Sequence, residues 1–216
     1  QGISVTASDP GFPEDVAAFC QSTGNTLVDL TPDNGSYRAT VVKNEEKAVT
    51  DVAERASGKT SKRKCMVVFS GDFDRAVASF IIANGAAAMG SEVTMFFTFW
   101  GLNILRKPEK VDVDKSLMEK MFGWMMPRGA DRLKLSQMDM GGMGRRMIKG
   151  IMRKKNVQSL PELIEKARDS GVRLVACSMS MDLMGIKEEE LIDGVEKGGV
   201  ASYLSTAEGT DVNLFI

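Results

Sequence analysis

The chain has 216 residues, 28 basic against 29 acidic side chains for a net charge of −1, and 43% hydrophobic residues. This ordinary globular composition excludes overall disorder and carries no global charge signal for nucleic acid. There is no histidine, which excludes a Ser-His-Asp triad, a Cys-His dyad and histidine metal ligation. The three cysteines, Cys20, Cys65 and Cys177, are too few for a four-cysteine zinc site, and their unpatterned odd count favours a reducing cytoplasm.

The chain opens with Gln1, as a segment of a longer protein would. Residues 1–43 read as one small unit. Ile3–Thr6 alternates like a strand, Asp9-Pro10-Gly11 forms a turn, and Pro13-Glu14-Asp15 opens a helix carrying Val16, Phe19 and Cys20 that stops at Gly24. Leu27–Leu30 and Tyr37–Val42 read as strands joined at Pro32-Asp33-Asn34-Gly35, a hairpin signal. Forty-odd residues make a thin core, so this unit reads as part of a domain. Residues 44–63 are polar and read as a linker, with a helical stretch over 48–56.

The body is expected over 64–216. Met66–Phe69 is an apolar strand, Ser70-Gly71-Asp72 turns into a helix from Phe73 to Met89, and Val93–Phe99 is a strand apolar on both faces. The charge-free runs 76–91 and 93–105 are interrupted by Glu92. Each falls short of the ~20 apolar residues of a membrane span, so they read as a buried helix and a buried strand. Further on, Ser159-Leu160-Pro161-Glu162 is a capping box. Its helix ends at Gly171, and Val172–Cys177 is another buried strand. Lys187–Asp193 is expected as a short helix, and Val200–Leu204 and Val212–Phe215 as the last strands. The fold class is thus α/β, a mostly parallel sheet with helices on both faces, preceded by a partial α+β unit.

An insert over 102–155 interrupts this alternation. It holds 14 basic and 6 acidic side chains, and nine of the fifteen methionines lie between Met118 and Met152. Leu117, Met118, Met121, Phe122 and Met125 recur at helical spacing. So do Met147, Ile148, Ile151 and Met152, opposite Arg145, Arg146, Lys149 and Arg153. The glycine-rich run 138–144 between them reads as a flexible joint. Met138, Met140, Met143 and Met147 could offer soft ligands to copper(I). Without cysteines nearby, core packing or partner contact is the stronger reading.

Cys177 is the principal chemical candidate. It closes a parallel strand, and in open α/β sheets sites form outside the carboxyl ends of strands. The thiolate is the reactive form of cysteine, and without histidine its activation falls to Lys, Arg or backbone dipoles. Arg106 and Lys107, which follow the strand 93–99, are candidate cations, with Asn103 and Ser178 as possible supporting groups. The competing reading makes Cys177 a small buried hydrophobe, as Cys65 and Cys20 are expected to be. Ser70-Gly71-Asp72 could hold an anion at a helix amino terminus, although capping by Asp72 suffices to explain it.

The stretches 67–90, 94–107, MGGMG (140–144), ACSMSMDLMGI (176–186) and GGVASYL (198–204) together resemble the DsrE/DsrF-like family of sulfur-relay proteins, in its larger, peroxiredoxin-like branch with a Met-rich insert. The resemblance implies a cysteine that takes sulfane sulfur as a persulfide, and only Cys177 lies in a matching motif. Residues 3–43 resemble the carboxyl half of a TusA-like sulfur carrier, without that domain's Cys-Pro-x-Pro motif. The tandem is similar to the tail of coenzyme A-disulfide reductase-like flavoproteins. The flavin and rhodanese modules of those proteins are not in this chain, so no cofactor is expected of it. Implied partners are TusA-like or rhodanese-like sulfur carriers, and a homo-oligomer is expected. The alternative function is a non-catalytic assembly or membrane-surface module that uses the basic Met-rich helices.

Overall fold

A computed structural model describes residues 2–8, 12–33, 35–44 and 62–216. The chain divides into two compact units, 1–61 and 62–216. The helical stretch expected over 48–56 lies outside the described residues.

The first unit holds β1 (Gly2–Ala7), α1 (Phe12–Thr23), β2 (Thr26–Asp33) and β3 (Ser36–Val42). The strands form an antiparallel sheet in the order β1-β3-β2. Pro32 falls on the outer strand β2, where a missing N–H costs no ladder bond. Val16 and Cys20 of α1 bury against Ala39 and Val41 of β3.

The second unit is a five-stranded sheet in the order β7-β6-β5-β4-β8, every neighbouring pair parallel. Its strands are β4 (Arg63–Val68), β5 (Glu92–Phe97), β6 (Arg173–Cys177), β7 (Val195–Gly198) and β8 (Val212–Phe215). Strand alternation divides the side chains between two faces. Met66, Val68, Met95, Phe97, Leu174 and Ala176 join the large core. That core includes Phe73, Ala76, Phe80 and Ala83 of α2 (Phe73–Ala88) and Leu160, Leu163 and Ile164 of α5 (Leu160–Asp169). Phe96, Val175 and Cys177 form a separate cluster on the other face with Tyr203 of α7 (Val200–Glu208). Helices thus cover both faces, the expected arrangement.

Two terminal elements differ from expectation. Val200–Leu204 belongs to the helix α7, although Val200 and Tyr203 favour strands locally. The following strand, β8, is parallel to the sheet and lies at its opposite edge, and a parallel return requires a crossover segment, here a helix. The expected helix over 187–193 is a single 3-10 turn, Glu188–Glu190. Glu190 is fully buried, and Leu191 forms a bridge with Arg106, so the chain leaves the turn extended. Residues 195–198, unassigned from the sequence, form the edge strand β7.

In the insert, a 3-10 segment (Phe99–Leu105) follows β5, so that strand ends two residues before Phe99. Then come α3 (Leu117–Met125) and α4 (Met143–Lys154). The run 138–144 leads through a 3-10 turn, Met140–Gly142, into α4. Gly141 and Gly142 take positive φ, and a Cβ on Gly144 would lie 2.1 Å from the Met138 carbonyl oxygen.

Candidate functional site at the carboxyl edge of the sheet

The carboxyl ends of β4, β5 and β6 carry three distinct arrangements. The first is Cys177, the last residue of β6, from which the short helix α6 (Ser178–Met184) starts directly. Cys177 registers with Gly198 of β7, and its side chain is 1% exposed. Its cluster partners are uncharged, with Phe96 and Tyr203 rings 5.3 Å apart. Helix α7, which supplies Tyr203, has no fully buried residue of its own. The Thr98 and Ser180 hydroxyls, 2.7 Å apart, tie the end of β5 to α6. Ser178 itself is exposed. Of the other cysteines, Cys65 registers with Thr94 inside the sheet and Cys20 lies in the core of the first unit. Burial pushes both of those thiols up, away from the reactive thiolate.

The second arrangement is a cavity of about 520 Å³ beyond the end of β4. Phe69, Ser70, Gly71, Asp72 and Trp100 line it together with Met125, Met126, Arg132 and Lys134, among others. Gly71 is required there because a Cβ would meet the Trp100 carbonyl oxygen at 2.7 Å. Asp72 is the N-cap residue of α2 but makes no side-chain cap bond. Its carboxylate instead accepts from the Ser70 hydroxyl at 2.9 Å. Cys177 does not line this cavity.

The third arrangement is an ion cluster around Glu190. Arg106 Nη2 donates to Glu190 Oε1 at 3.1 Å, and Arg128 Nη1 lies 3.1 Å from the same oxygen. Lys115 Nζ donates to Oε2, which also accepts from the Lys187 backbone N–H at 3.0 Å. The Arg106 and Glu190 side chains are wholly buried. Burial alone would raise the Glu190 carboxyl. The bonds from Lys115 and Lys187 and the nearby Arg106 charge outweigh it and hold the group below the usual range. Burial, and then the like charge of Arg128, pull the Arg106 guanidinium down, against the pull of Glu190.

The candidate residues therefore separate. Arg106 is directed to Glu190, and Asn103 Oδ1 accepts from Arg106 Nη1 at 3.3 Å. Lys107 lies 3.7 Å from the exposed Asp193 carboxylate. Neither cation is in the apolar cluster around Cys177. Glu190, Lys115 and Arg128 escape a reading of the sequence. A run of three glutamates after a lysine looks like a solvated surface, and nothing local marks the third as buried.

Among the described residues no three His, Cys, Asp or Glu side chains gather as a metal site would require. No described helix is long and apolar enough to cross a membrane.

Comparison with known proteins places these features in context. The profile of the DsrE/DsrF/DrsH-like family matches residues 60–215. The chain is 58% identical over 156 residues to the uncharacterized protein YrkE of Bacillus subtilis, covering 72% of this chain and 98% of that one. It is 37% identical over 159 residues to the sulfur carrier protein DsrE2 of Allochromatium vinosum, again covering 72% and 98%. Among solved structures, the ychN protein of E. coli aligns with 71% of this chain and 99% of its own, at 13% identity and a TM-score of 0.42.

Proposed function

The chain belongs to the DsrE/DsrF/DrsH-like family, and from that premise we propose that it is a sulfur-relay protein carrying sulfane sulfur on Cys177. The observation that carries this reading is positional. Of the three cysteines, Cys177 alone stands at the carboxyl end of a parallel strand, the edge where open α/β sheets hold their sites. The similarity to a sulfur carrier over 72% of the chain supports the chemistry.

The transfer is an exchange at sulfur. The Cys177 thiolate attacks the outer sulfur of a donor persulfide. The donor's S–S bond breaks, a new S–S bond forms on Cys177, and the donor leaves as a thiolate. An acceptor thiolate then attacks the terminal sulfur and regenerates Cys177. Electrons balance within the exchange, and no external oxidant is consumed. At 1% exposure the sulfur must first be uncovered. Helix α7, anchored by no fully buried side chain, is the element that opens. In this reading the donors and acceptors are TusA-like or rhodanese-like carriers, and residues 3–43 are the carboxyl half of such a carrier.

The test is intact-mass measurement after incubation with a persulfide donor. The parent should gain the mass of one sulfur atom. Cys177→Ser should not, because a hydroxyl cannot form a persulfide. Cys65→Ser should load like the parent. Loading of a folded Cys177→Ser variant to the parent's extent overturns the assignment.

The exposed side chains of the insert fit a second part of the reading, self-association. Leu117 and Trp124 of α3 are each 85% exposed, and Met118, Met121 and Met125 lie on the same helix, also exposed. Apolar surface of this kind on a globular domain marks an interface.

A further inference from the structure

We propose that the cavity beyond the end of β4 binds a nucleoside monophosphate, with Trp100 stacking on the base and Arg75, Arg132 and Lys134 holding the phosphate. The cavity volume of about 520 Å³ falls within the roughly 300–1,000 Å³ of small-molecule sites. Its place in the sheet points the same way. In the order β7-β6-β5-β4-β8 the chain runs from β4 through β5 and β6 to β7 on one side, and β8 then joins β4 on the other. Helix α2, which leaves β4, packs into the large core, whereas α7, which leads into β8, contributes Tyr203 to the opposite face. The winding therefore reverses beside β4. Open α/β sheets bind ligands outside the carboxyl ends of their strands at such a reversal. Phe69, Ser70, Gly71 and Asp72, which line the cavity, follow β4 directly.

Trp100 is a fixed and unused ring. It is 51% exposed, and among the described residues its indole makes no ring contact and no hydrogen bond. Its backbone is held on both sides. A Cβ on Gly71 would lie 2.7 Å from the Trp100 carbonyl oxygen, and a Cβ on Gly101 would lie 2.1 Å from that of Val68. Asn103 Nδ2 also donates to the Trp100 carbonyl at 3.2 Å. The preceding Phe99 takes φ 45°, a costly conformation for a bulky residue. Strain of this kind persists where the surrounding structure fixes it, and it gathers at ligand sites. A large aromatic face that is held still and left to water suits a flat ring, because little freedom is lost when the ring stacks. Met126 and Pro127 add apolar lining.

The charge of the lining sets the other half of the ligand. Arg75, Arg132 and Lys134 share the cavity with one acid, Asp72, an excess of two positive charges. A phosphate monoester carries nearly the opposite charge at neutral pH. Arg75 Nε lies 3.7 Å from Asp72 Oδ2, whereas the Arg132 and Lys134 side chains make no ion pair or hydrogen bond among the described residues. The guanidinium forks match phosphate oxygens in pairs, and the ammonium adds a point charge. Asp72 Oδ2 also accepts from the Ser70 hydroxyl. The other Asp72 oxygen accepts from none of the described residues and can take a ribose hydroxyl, as acidic groups do in nucleotide sites. The assignment is independent of whether Cys177 carries sulfur, since Cys177 does not line the cavity.

The test is a fluorescence titration of the whole chain carrying Trp124→Phe, in which Trp100 is the one tryptophan left of two. The probes are adenosine 5′-monophosphate, adenosine and ribose 5-phosphate at constant ionic strength. The monophosphate should change Trp100 emission saturably. Adenosine lacks the charge and ribose 5-phosphate lacks the ring, so each should bind about tenfold more weakly or worse. Arg132→Met with Lys134→Met, both exposed positions, should raise the Kd for the monophosphate by a similar factor. Calorimetry on Trp100→Leu should show a loss of about tenfold. No saturable response to the monophosphate at millimolar concentration overturns the proposal. Equal affinity for the monophosphate and either of its halves overturns it too, as does unchanged affinity in the double variant. If Trp100→Leu fails to fold, the comparison of the monophosphate with its halves decides.

Discussion

Arg106 Nη2 and Glu190 Oε1 lie 3.1 Å apart with both side chains at zero exposure, joining positions 84 residues apart in the chain. This contact fastens the start of the Met-rich insert to the turn after α6. The neighbouring bridge between Arg106 and Leu191 and the bond from the Lys107 N–H to the Glu190 carbonyl at 2.7 Å strengthen the same junction.

Glu190→Gln should be strongly destabilising. It removes the one carboxylate among three cations and leaves their charge uncompensated, at a cost of about 3–5 kcal/mol. Urea unfolding should show a lower midpoint with an unchanged slope. A loss below ~1 kcal/mol would show that the cluster contributes little.

Acid should loosen the anchorage of α3. The bond from Lys187, with those from the Ser116 backbone and hydroxyl, lowers the Glu119 carboxyl from 4.5 to about 2. A depressed folded value means that the contribution is complete above pH 4.5 and is lost as pH falls toward 2. Glu190 is shifted in the same direction. Stability followed from pH 6 to pH 2 should fall across that window, and Glu119→Gln should flatten part of the slope. An unchanged slope in that variant would remove Glu119 from the account.

Tyr203→Ala should speed alkylation of Cys177. The tyrosine ring covers the cluster that holds the thiol, and aromatic contacts of this kind contribute about 0.5–1.5 kcal/mol beyond area burial. Labelling by a thiol reagent at neutral pH, read by peptide mass, should rise by up to roughly tenfold. An equal rate in parent and variant would mean that the thiol is uncovered by another route.

Trp124→Lys should weaken self-association without unfolding the chain. Trp124 is 85% exposed, so its replacement removes little core packing. Light scattering should give the parent a mass above that of one 23.5 kDa chain, and the variant a mass closer to it. A monomeric parent at micromolar concentration would refute the interface.

Much of the architecture is legible from residue order because it rests on local periodicity. The apolar runs of β4, β5 and β6, the glycine after α2 and the capping box at Ser159 each report a neighbourhood of a few residues. In the structure Glu162 accepts from the Ser159 backbone N–H at 2.7 Å, as that pattern implies. The segments misread, 187–193 and 200–204, are those where a distant partner overrides local preference. Glu190 turns inward to cations of the insert, and Val200–Glu208 must serve as the crossover into a parallel edge strand.

By itself the sequence determined the α/β class, the absence of imidazole chemistry, and the placing of Cys177 at a strand end, because these follow from composition and short-range pattern. Only the tertiary structure decided that Cys177 lies on the face covered by Tyr203, away from the basic insert. It alone showed that Arg106 serves Glu190 and that Lys115 and Arg128 converge on the same carboxylate. Desolvation and charge pairing act between residues brought together by the chain's return, and a run such as 187–190 reads the same whether water or three cations surround it.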